Sequence, residues 1–186
     1  MKDINKSLKF WLEELDKFEL ASYEKLPDID LYMDQMITYL ERQLNTFSLS
    51  SLDKQITSSM INNYVKGDCI PSPNAKKYNK EHIALILEIC LLKRAINISD
   101  IKQILDSNYQ NSDFMETYND FASKATETLH KIGQETAVKL DNIETNNQNE
   151  LLKLALELSL VANVNVIIAK RILDYIEIQN NLKEEE

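Results

Sequence analysis

ITSSMINNYVKGDCIPSPNAKKYNKEHIALILEICLLKRAINISDIKQIL, residues 56–105, is the stretch of this sequence that decides the predicted fold. It contains Pro71 and Pro73, two of the three prolines of the chain, and Gly67, one of its two glycines. Its pattern predicts a short helix, a tight basic turn and a longer helix, in that order.

The composition favours long helices. The chain of 186 residues has only two glycines and three prolines, and both residue types are needed where a sheet or a loop turns sharply. Hydrophobic residues make up 44% and charged residues 27%, which is typical of a globular protein. We therefore expect a mainly α protein.

Charge is distributed unevenly along the chain. The net charge is −9, yet residues 48–105 hold eight basic residues against five acidic ones. A basic region on an otherwise acidic surface is typical of a patch that faces a polyanion. A solvated lysine-rich loop has the same composition, and charge alone leaves both interpretations open.

The local signals predict the elements of this region. Residues 31–47 have an apolar stripe at helical spacing, and residues 48–51 read as a loop. The cluster Thr57, Ser58 and Ser59 is suited to cap a helix over residues 59–66, and Gly67 stands where a helix C-terminal cap belongs. Prolines exclude a helix interior from residues 69–78, so we expect a tight hairpin or an extended loop there, with helices over residues 80–95 and 97–105.

The second half of the chain predicts two long helices, over residues 113–143 and 149–180. The last is apolar on most sides between residues 158 and 168, and such a helix must be covered on most sides. We expect its cover to be the N-terminal helix (residues 6–19, packing through Trp11), a second subunit, or both. The predicted regions are residues 1–25, 26–106 and 107–186, the last with a disordered tail.

The segment MINNYVKGDCIP, residues 60–71, resembles the start of the MerR-type winged helix-turn-helix. Tyr64, Lys66 and Pro71 match positions of that motif, and Lys77-Tyr78 is similar to its wing signature. Asn62 and Asn63 stand where that family usually has arginine and tyrosine, and about ten residues separate the two helices of the predicted motif. The resemblance implies a winged helix-turn-helix with a small β-hairpin wing, followed by long C-terminal helices.

A closer resemblance covers residues 26–105. The segments LPDIDLYMDQMITYLE, MINNYVK and KKYNKEHIALIL are together similar to a family of uncharacterised bacterial proteins, a domain of unknown function associated with DNA binding. The resemblance does not establish a function for that family.

Short polar residues at the start of the predicted recognition helix are suited to approach base edges. An asparagine amide pairs with adenine through two hydrogen bonds, and free N–H groups at a helix start hold a phosphate. Lysines on the wing would contact further phosphates. The predicted DNA-binding residues are Ser58, Ser59, Asn62, Asn63, Lys66, Lys76, Lys77, Tyr78 and Lys80. The alternative is a merely polar helix face, with Tyr64 and Tyr78 as core aromatics.

Nothing in the sequence predicts catalysis. His82 and His130 lie far apart, and there is no nucleophile motif and no glycine-rich phosphate loop. We expect no enzyme activity, no cofactor and no metal site.

Cys69 and Cys90 form no ligand pattern, and two unpatterned thiols are typical of the cytoplasm. The uncharged run of residues 158–169 is shorter than the roughly 20 residues of a membrane span, so we expect no membrane partner.

The sequence therefore predicts a cytoplasmic transcriptional regulator that binds double-stranded DNA and forms a homodimer through its C-terminal helices. Residues 126–176 could hold an effector pocket, although a filled core or a dimer seam fits them better. The alternative function is a protein-interaction module that has the winged-helix shape and does not bind DNA.

Overall fold

The computed structural model of the protein describes residues 4–47, 56–110, 112–144 and 147–184. Across these ranges the chain forms seven α-helices and two short strands, so the prediction of a mainly α protein is confirmed. The elements are α1 (Ile4–Asp16), β1 (Leu31–Tyr32), α2 (Met33–Gln43), α3 (Ser58–Lys66), β2 (Lys77–Tyr78), α4 (Lys80–Leu92), α5 (Ile98–Tyr109), α6 (Phe114–Asp141) and α7 (Gln148–Glu184). The predicted loop over residues 48–51 and the last two residues of the predicted tail lie outside the described residues.

Helix α4 lies at the centre of the main core. Every residue from His82 to Cys90 is buried, because α4 is apolar on all sides and α2, α5 and α6 all contact it. The predicted boundary between two regions falls after residue 106. The core around α4 takes side chains from both sides of that boundary, including Leu105 of α5 and Tyr118 and Ala122 of α6. The buried side chains thus form one cluster, whose first and last members along the chain are Leu20 and Ala122.

The small sheet differs from the predicted hairpin. Strand β2 pairs antiparallel with β1, which precedes α2, with Leu31 opposite Tyr78 and Tyr32 opposite Lys77. Within residues 69–78 the structure has a tight turn with a single bridge between Asn74 and Lys77. Pro71 and Pro73 explain the difference, because proline has no N–H group to donate to a second strand of the hairpin.

Helix α1 packs against the second half of α6. Leu12 and Leu15 of α1 form a separate apolar cluster with Leu140 of α6. The expected contact through Trp11 is wrong, since its side chain is 44% exposed. The expectation that α1 covers the final helix is also wrong along most of α7, because α1 lies on α6 instead.

Helix α7 is 37 residues long and largely uncovered. Leu154, close to its start, is buried, but the large apolar side chains that follow are mostly exposed, with Leu160 at 56% and Ile167 at 58%. The segment Gln148–Asn180 is long and apolar enough to cross a membrane by length and composition, because it contains a window of 18 residues with a mean hydropathy of 1.8. Only 6% of that apolar window is buried in the structure.

The core contains one buried carboxyl group. Glu88 of α4 is 1% exposed and accepts a hydrogen bond from the hydroxyl of Tyr109. Burial raises the pKa of Glu88 to about 7, and the hydrogen bond from Tyr109 opposes that rise. Glu88 therefore gives the stability of the protein a dependence on pH.

We expect Glu88→Gln to be more stable than the parent protein at high pH. The carboxyl is protonated in both states below about pH 4.5, so the variant and the parent are then equally stable. Between pH 4.5 and 7 the unfolded chain loses this proton and the folded chain keeps it, so the parent loses stability as pH rises. At pH 8 the gain should reach up to about 3 kcal/mol, measured by urea unfolding from pH 4.5 to 8.

The matched control is Glu81→Gln, at an exposed position of the same helix, which should leave the stability nearly unchanged. Burial lowers the pKa of His82, so protonation of His82 destabilises the fold as pH falls below 6.5, in the parent and in Glu88→Gln alike. The informative quantity is therefore the difference between Glu88→Gln and the parent. A difference that does not grow with pH would contradict the expectation.

Candidate nucleic-acid interface

Helix α3 begins at a well-formed cap. The Thr57 side chain accepts a hydrogen bond from the Met60 N–H at 3.2 Å, and the Thr57 carbonyl accepts one from Ile61. The predicted cap cluster thus forms, with the helix starting at Ser58, one residue before the predicted start. The N–H groups of Ser58 and Ser59 precede the first capped N–H and lie at the positive end of the helix dipole.

One face of α3 is buried and the opposite face is exposed. Ile61 and Tyr64 point into the main core, where burial raises the pKa of Tyr64 to about 12. The exposed side carries five of the predicted DNA-binding residues at helical spacing: Ser58, Ser59, Asn62, Asn63 and Lys66. In the part of the chain that the structure describes, these side chains make no hydrogen bond or ion pair.

The far end of α3 is fixed by residues of another helix. Gly67 caps the helix with an N–H bond to the Asn63 carbonyl, as predicted, although its φ of −88° is one that any residue can adopt. The left-handed conformation falls instead on Asp68, with a φ of 52°. Lys102 of α5 donates a hydrogen bond of 2.7 Å to the Asp68 carbonyl, which holds the chain as it leaves α3.

The basic turn after α3 has a strained backbone. Ala75 and Lys76 have φ angles of 48° and 63°, and the Lys77 N–H bonds to the Asn74 carbonyl at 2.9 Å. Two successive left-handed residues define the tight turn type that usually takes asparagine and glycine. The side chain of Lys76 at the tip is exposed.

Lys77 lies against an aromatic residue of the other strand. Its ammonium group is 5.3 Å from the ring centroid of Tyr32, which is itself 51% exposed. Tyr32 is a candidate surface residue that the sequence analysis missed. No local signal identifies it, because the contact depends on the pairing of β1 with β2.

Two of the predicted DNA-binding residues are not free on the surface: Tyr78 is buried, and Lys80 forms an ion pair. Tyr78 is 3% exposed and packs edge-to-face on His82, with 5.5 Å between the ring centroids. Lys80 forms an ion pair with Asp28, and its ammonium group lies 5.1 Å from the ring centroid of Tyr23. Tyr78 is thus positioned to hold the turn in place, and the charge of Lys80 is compensated. Lys76 and Lys77 are the remaining cations of this segment.

Helix α2 connects the exposed face of α3 with the basic turn that precedes β2. Both α3 and β2 contact α2, and β2 also contacts the start of α4. Asn79 caps α4 by accepting a hydrogen bond from the His82 N–H at 3.1 Å, while the Asn79 N–H donates to His82 Nδ1 at 3.2 Å. Residues 79–82 therefore anchor the end of the turn to the central helix.

A cavity of about 660 Å³ opens beside the segment that joins α3 to the turn. Its walls include Ile70 and Pro71, Leu85 of α4 and Tyr109 of α5. The predicted effector region, residues 126–176, contributes none of the residues that line it. Among the described residues no group of three or more histidine, cysteine or acidic side chains is arranged to hold a metal ion.

These features define a mainly helical protein with a small antiparallel sheet and an exposed polar helix. The family model for a domain of unknown function (DUF1836) matches residues 21–122. The chain therefore belongs to the DUF1836 family, and the matched range nearly coincides with the main core. No curated protein and no solved structure matches the chain.

We expect Lys76→Gly to stabilise the protein. Glycine adopts a φ of 63° without the steric cost that a lysine Cβ incurs, so the free energy of unfolding should rise by about 1 kcal/mol. Chemical denaturation of the parent and the variant measures the change. Lys76→Ala keeps the Cβ and serves as the matched control, which should show little gain. Equal stability of the glycine and alanine variants would contradict the strained turn.

Proposed function

We propose that the protein is a DNA-binding transcriptional regulator that reads DNA with α3 and contacts its backbone with the turn at residues 74–77. The observation that carries the proposal is the exposed face of α3, with Ser58, Ser59, Asn62, Asn63 and Lys66 on one side of a capped helix. Small polar side chains at the start of a helix suit close approach to base edges in the major groove.

The start of α3 would bind a phosphate. The N–H groups of Ser58 and Ser59 lie at the positive end of the helix dipole, and their hydroxyls add further donors. Such contacts orient a protein on the duplex without reading its sequence. Lys66, one turn beyond Asn62, would contact the backbone at the other end of the helix.

Asn62 and Asn63 would contact the bases. Each amide offers a donor and an acceptor, which matches the N6 and N7 atoms of adenine in the major groove. Both side chains are exposed, so neither must break an internal bond to reach DNA. The proposed preference is for sites that contain A·T pairs at the contacted positions.

The order of elements supports a winged helix-turn-helix arrangement. Strand β1 precedes α2, α3 follows, and β2 returns to pair with β1 before α4 begins. In this proposal α2 and α3 are the two helices of the motif, and the turn that displays Lys76 and Lys77 is the wing. The connection between α2 and α3 is longer than the usual turn of three or four residues.

We also propose that the regulator is a homodimer. Two DNA-binding units placed one helical turn apart double the number of contacts with a palindromic site. The exposed apolar helix α7 supports this proposal, since contiguous apolar surface of this extent is typical of an interaction surface. Its location in the cytoplasm is part of the same proposal.

A protein-interaction module is the second candidate. The net charge of −9 opposes DNA binding, and the ion pair with Asp28 compensates Lys80. In this alternative the exposed face of α3 would bind a protein partner. A pull-down that requires Asn62 and Asn63, from a protein with no affinity for DNA, would favour it over DNA binding.

We expect the double variant Lys76→Ala plus Lys77→Ala to weaken DNA binding by roughly ten-fold at ~0.1 M salt. The loss should be similar for all sequences, and the slope of log K against log salt should fall by about 2, because phosphate contacts release counterions. Fluorescence anisotropy with labelled genomic fragments at several salt concentrations measures both quantities.

The matched control is Lys25→Ala plus Lys131→Ala, which removes the same charge at two exposed positions on other elements. It should reduce the affinity much less. Asn62→Ala plus Asn63→Ala should instead reduce the difference in affinity between preferred and random sequences. If the parent protein shows no DNA binding at low salt, the DNA-binding proposal is overturned.

A further inference from the structure

Helix α7 is attached to the rest of the chain at two places. Near its start, Leu151 packs beside the cluster of Leu12, Leu15 and Leu140, Leu154 is buried, and Glu157 pairs with Lys139 of α6 at 2.5 Å. Near its end, α7 contacts α5, where the Gln103 side chain donates to the Leu173 carbonyl at 3.3 Å. Between these places lies a stretch that is mostly exposed.

This stretch is exposed in every direction around the helix axis. At 100° per residue, Leu156, Ala162 and Ile168 point about 120° apart, and all three side chains are exposed. Leu160, Ile167 and Ile172 are also more than half exposed. A partner that covered a single face would leave large apolar side chains in water on the others.

The same chain has a second apolar surface, which is half-buried except at Ile132. A groove of about 420 Å³ runs between the end of α4 and the middle of α6. Six apolar residues line it, together with Lys124 and Thr128: Leu91, Leu92, Phe121, Ala125, Leu129 and Ile132. All the lining residues come from α4 and α6, so α7 of the same chain does not fill the groove.

We propose that α7 of a second copy of this chain lies in the α4–α6 groove, and that the contact is reciprocal. The proposal deepens the homodimer proposed above and is independent of DNA binding. One side of each α7 would face the partner's groove, and another side would face the partner's α7. The exchange therefore covers both unpartnered surfaces of the chain with a single symmetric interface.

The two surfaces match in length and chemistry. The groove extends along α6 from Phe121 to Ile132, and the uncharged part of α7 runs from Leu158 to Ala169. Each stretch is 12 residues of helix, or about 17 Å. The charged residues Glu157 and Lys170 that bound the uncharged part of α7 would then lie at the two ends of the groove.

The exposed apolar side chains of α7 are numerous enough for a dimer interface. Beyond Leu154, eleven large apolar side chains of α7 are each at least 42% exposed. A standard interface buries about 800 Å² on each partner, and α7 and the groove would both contribute to that area. A membrane is a poorer cover for this helix. Although the helix is long and apolar enough to cross a membrane, its run without a charged residue is only about 17 Å of a hydrocarbon core of about 30 Å, and this run contains Asn163 and Asn165.

The first experiment measures the mass of the full chain by light scattering across a range of concentrations. Three variants that each add a lysine are compared: Ile168→Lys in α7, Ile132→Lys in the groove, where this side chain is 46% exposed, and Glu127→Lys on the side of α6 that faces away from the groove. We expect the first two to raise the dissociation constant of the dimer by about 100-fold, and Glu127→Lys to leave it unchanged. Circular dichroism of each variant checks that it is folded.

The outcomes separate this proposal from the simpler dimer. If Ile168→Lys dissociates the dimer and Ile132→Lys does not, α7 pairs without the groove, and the exchange is overturned while the homodimer stands. A monomeric parent protein overturns both and leaves the DNA-binding proposal to its own test. Flotation of the parent with vesicles of neutral phosphatidylcholine, together with a monomeric state in solution, would identify a membrane as the cover instead.

The second experiment is independent of any destabilising charge. A photo-crosslinking amino acid at position 132 is used in a mixture of ¹⁴N and ¹⁵N chains, so that peptides linked between two chains carry both isotopes. We expect links to residues 156–172, and we expect them in mixed-isotope pairs. Links only within one chain, or none to α7, would overturn the exchange. The same group at position 127 is the matched control.

Discussion

Helix α4 is apolar on every side, and the other helices of the main core are arranged to cover it. A helix of this kind has no face that can remain in water, so α2, α5 and the first half of α6 must all pack against it. Its start is fixed by the reciprocal hydrogen bonds between Asn79 and His82, which also fix the end of the basic turn. The position of Lys76 and Lys77 on the surface therefore depends on how the helix with the fully buried stretch from His82 to Cys90 begins.

The central helix α4 also buries a polar residue, and the burial costs free energy of folding. Glu88 is buried in the middle of α4, and its carboxyl depends on one hydroxyl, that of Tyr109. A well-packed apolar residue of similar volume would avoid the desolvation of a charge at neutral pH. The hydrogen bond therefore joins the end of α5 to α4. Tyr109 also stacks on Phe114 with 4.4 Å between the ring centroids, so this one side chain connects α4, the end of α5 and the start of α6.

Local signals in the sequence were enough to predict most of the helices and the exposed face of α3. Thr57, Asn79 and Asn97 all cap helices, and a cap depends on residues three positions apart, which the sequence shows directly. The pairing of β1 with β2 could not be found in this way, because Leu31 and Tyr78 are far apart in the chain and each strand is only two residues long. The contact of Lys77 with Tyr32 and the ion pair of Lys80 with Asp28 follow from that pairing and were missed for the same reason. The amphipathic pattern of α1 showed that a face is buried, but the pattern does not say which helix buries it.

Helix α6 belongs to both apolar clusters of the protein. Its first half contributes Tyr118 and Ala122 to the main core, and its second half contributes Leu140 to the cluster with α1. With 28 residues it is about 42 Å long, and its i→i+4 hydrogen bonds make it stiff along its length. The Tyr118 hydroxyl donates to the Ala21 carbonyl at 3.1 Å, so α6 is tied to the start of the main core as well as to its centre. A displacement of the second half of α6, where α1 packs, is therefore transmitted along a stiff helix to Tyr118 and Ala122 in the main core.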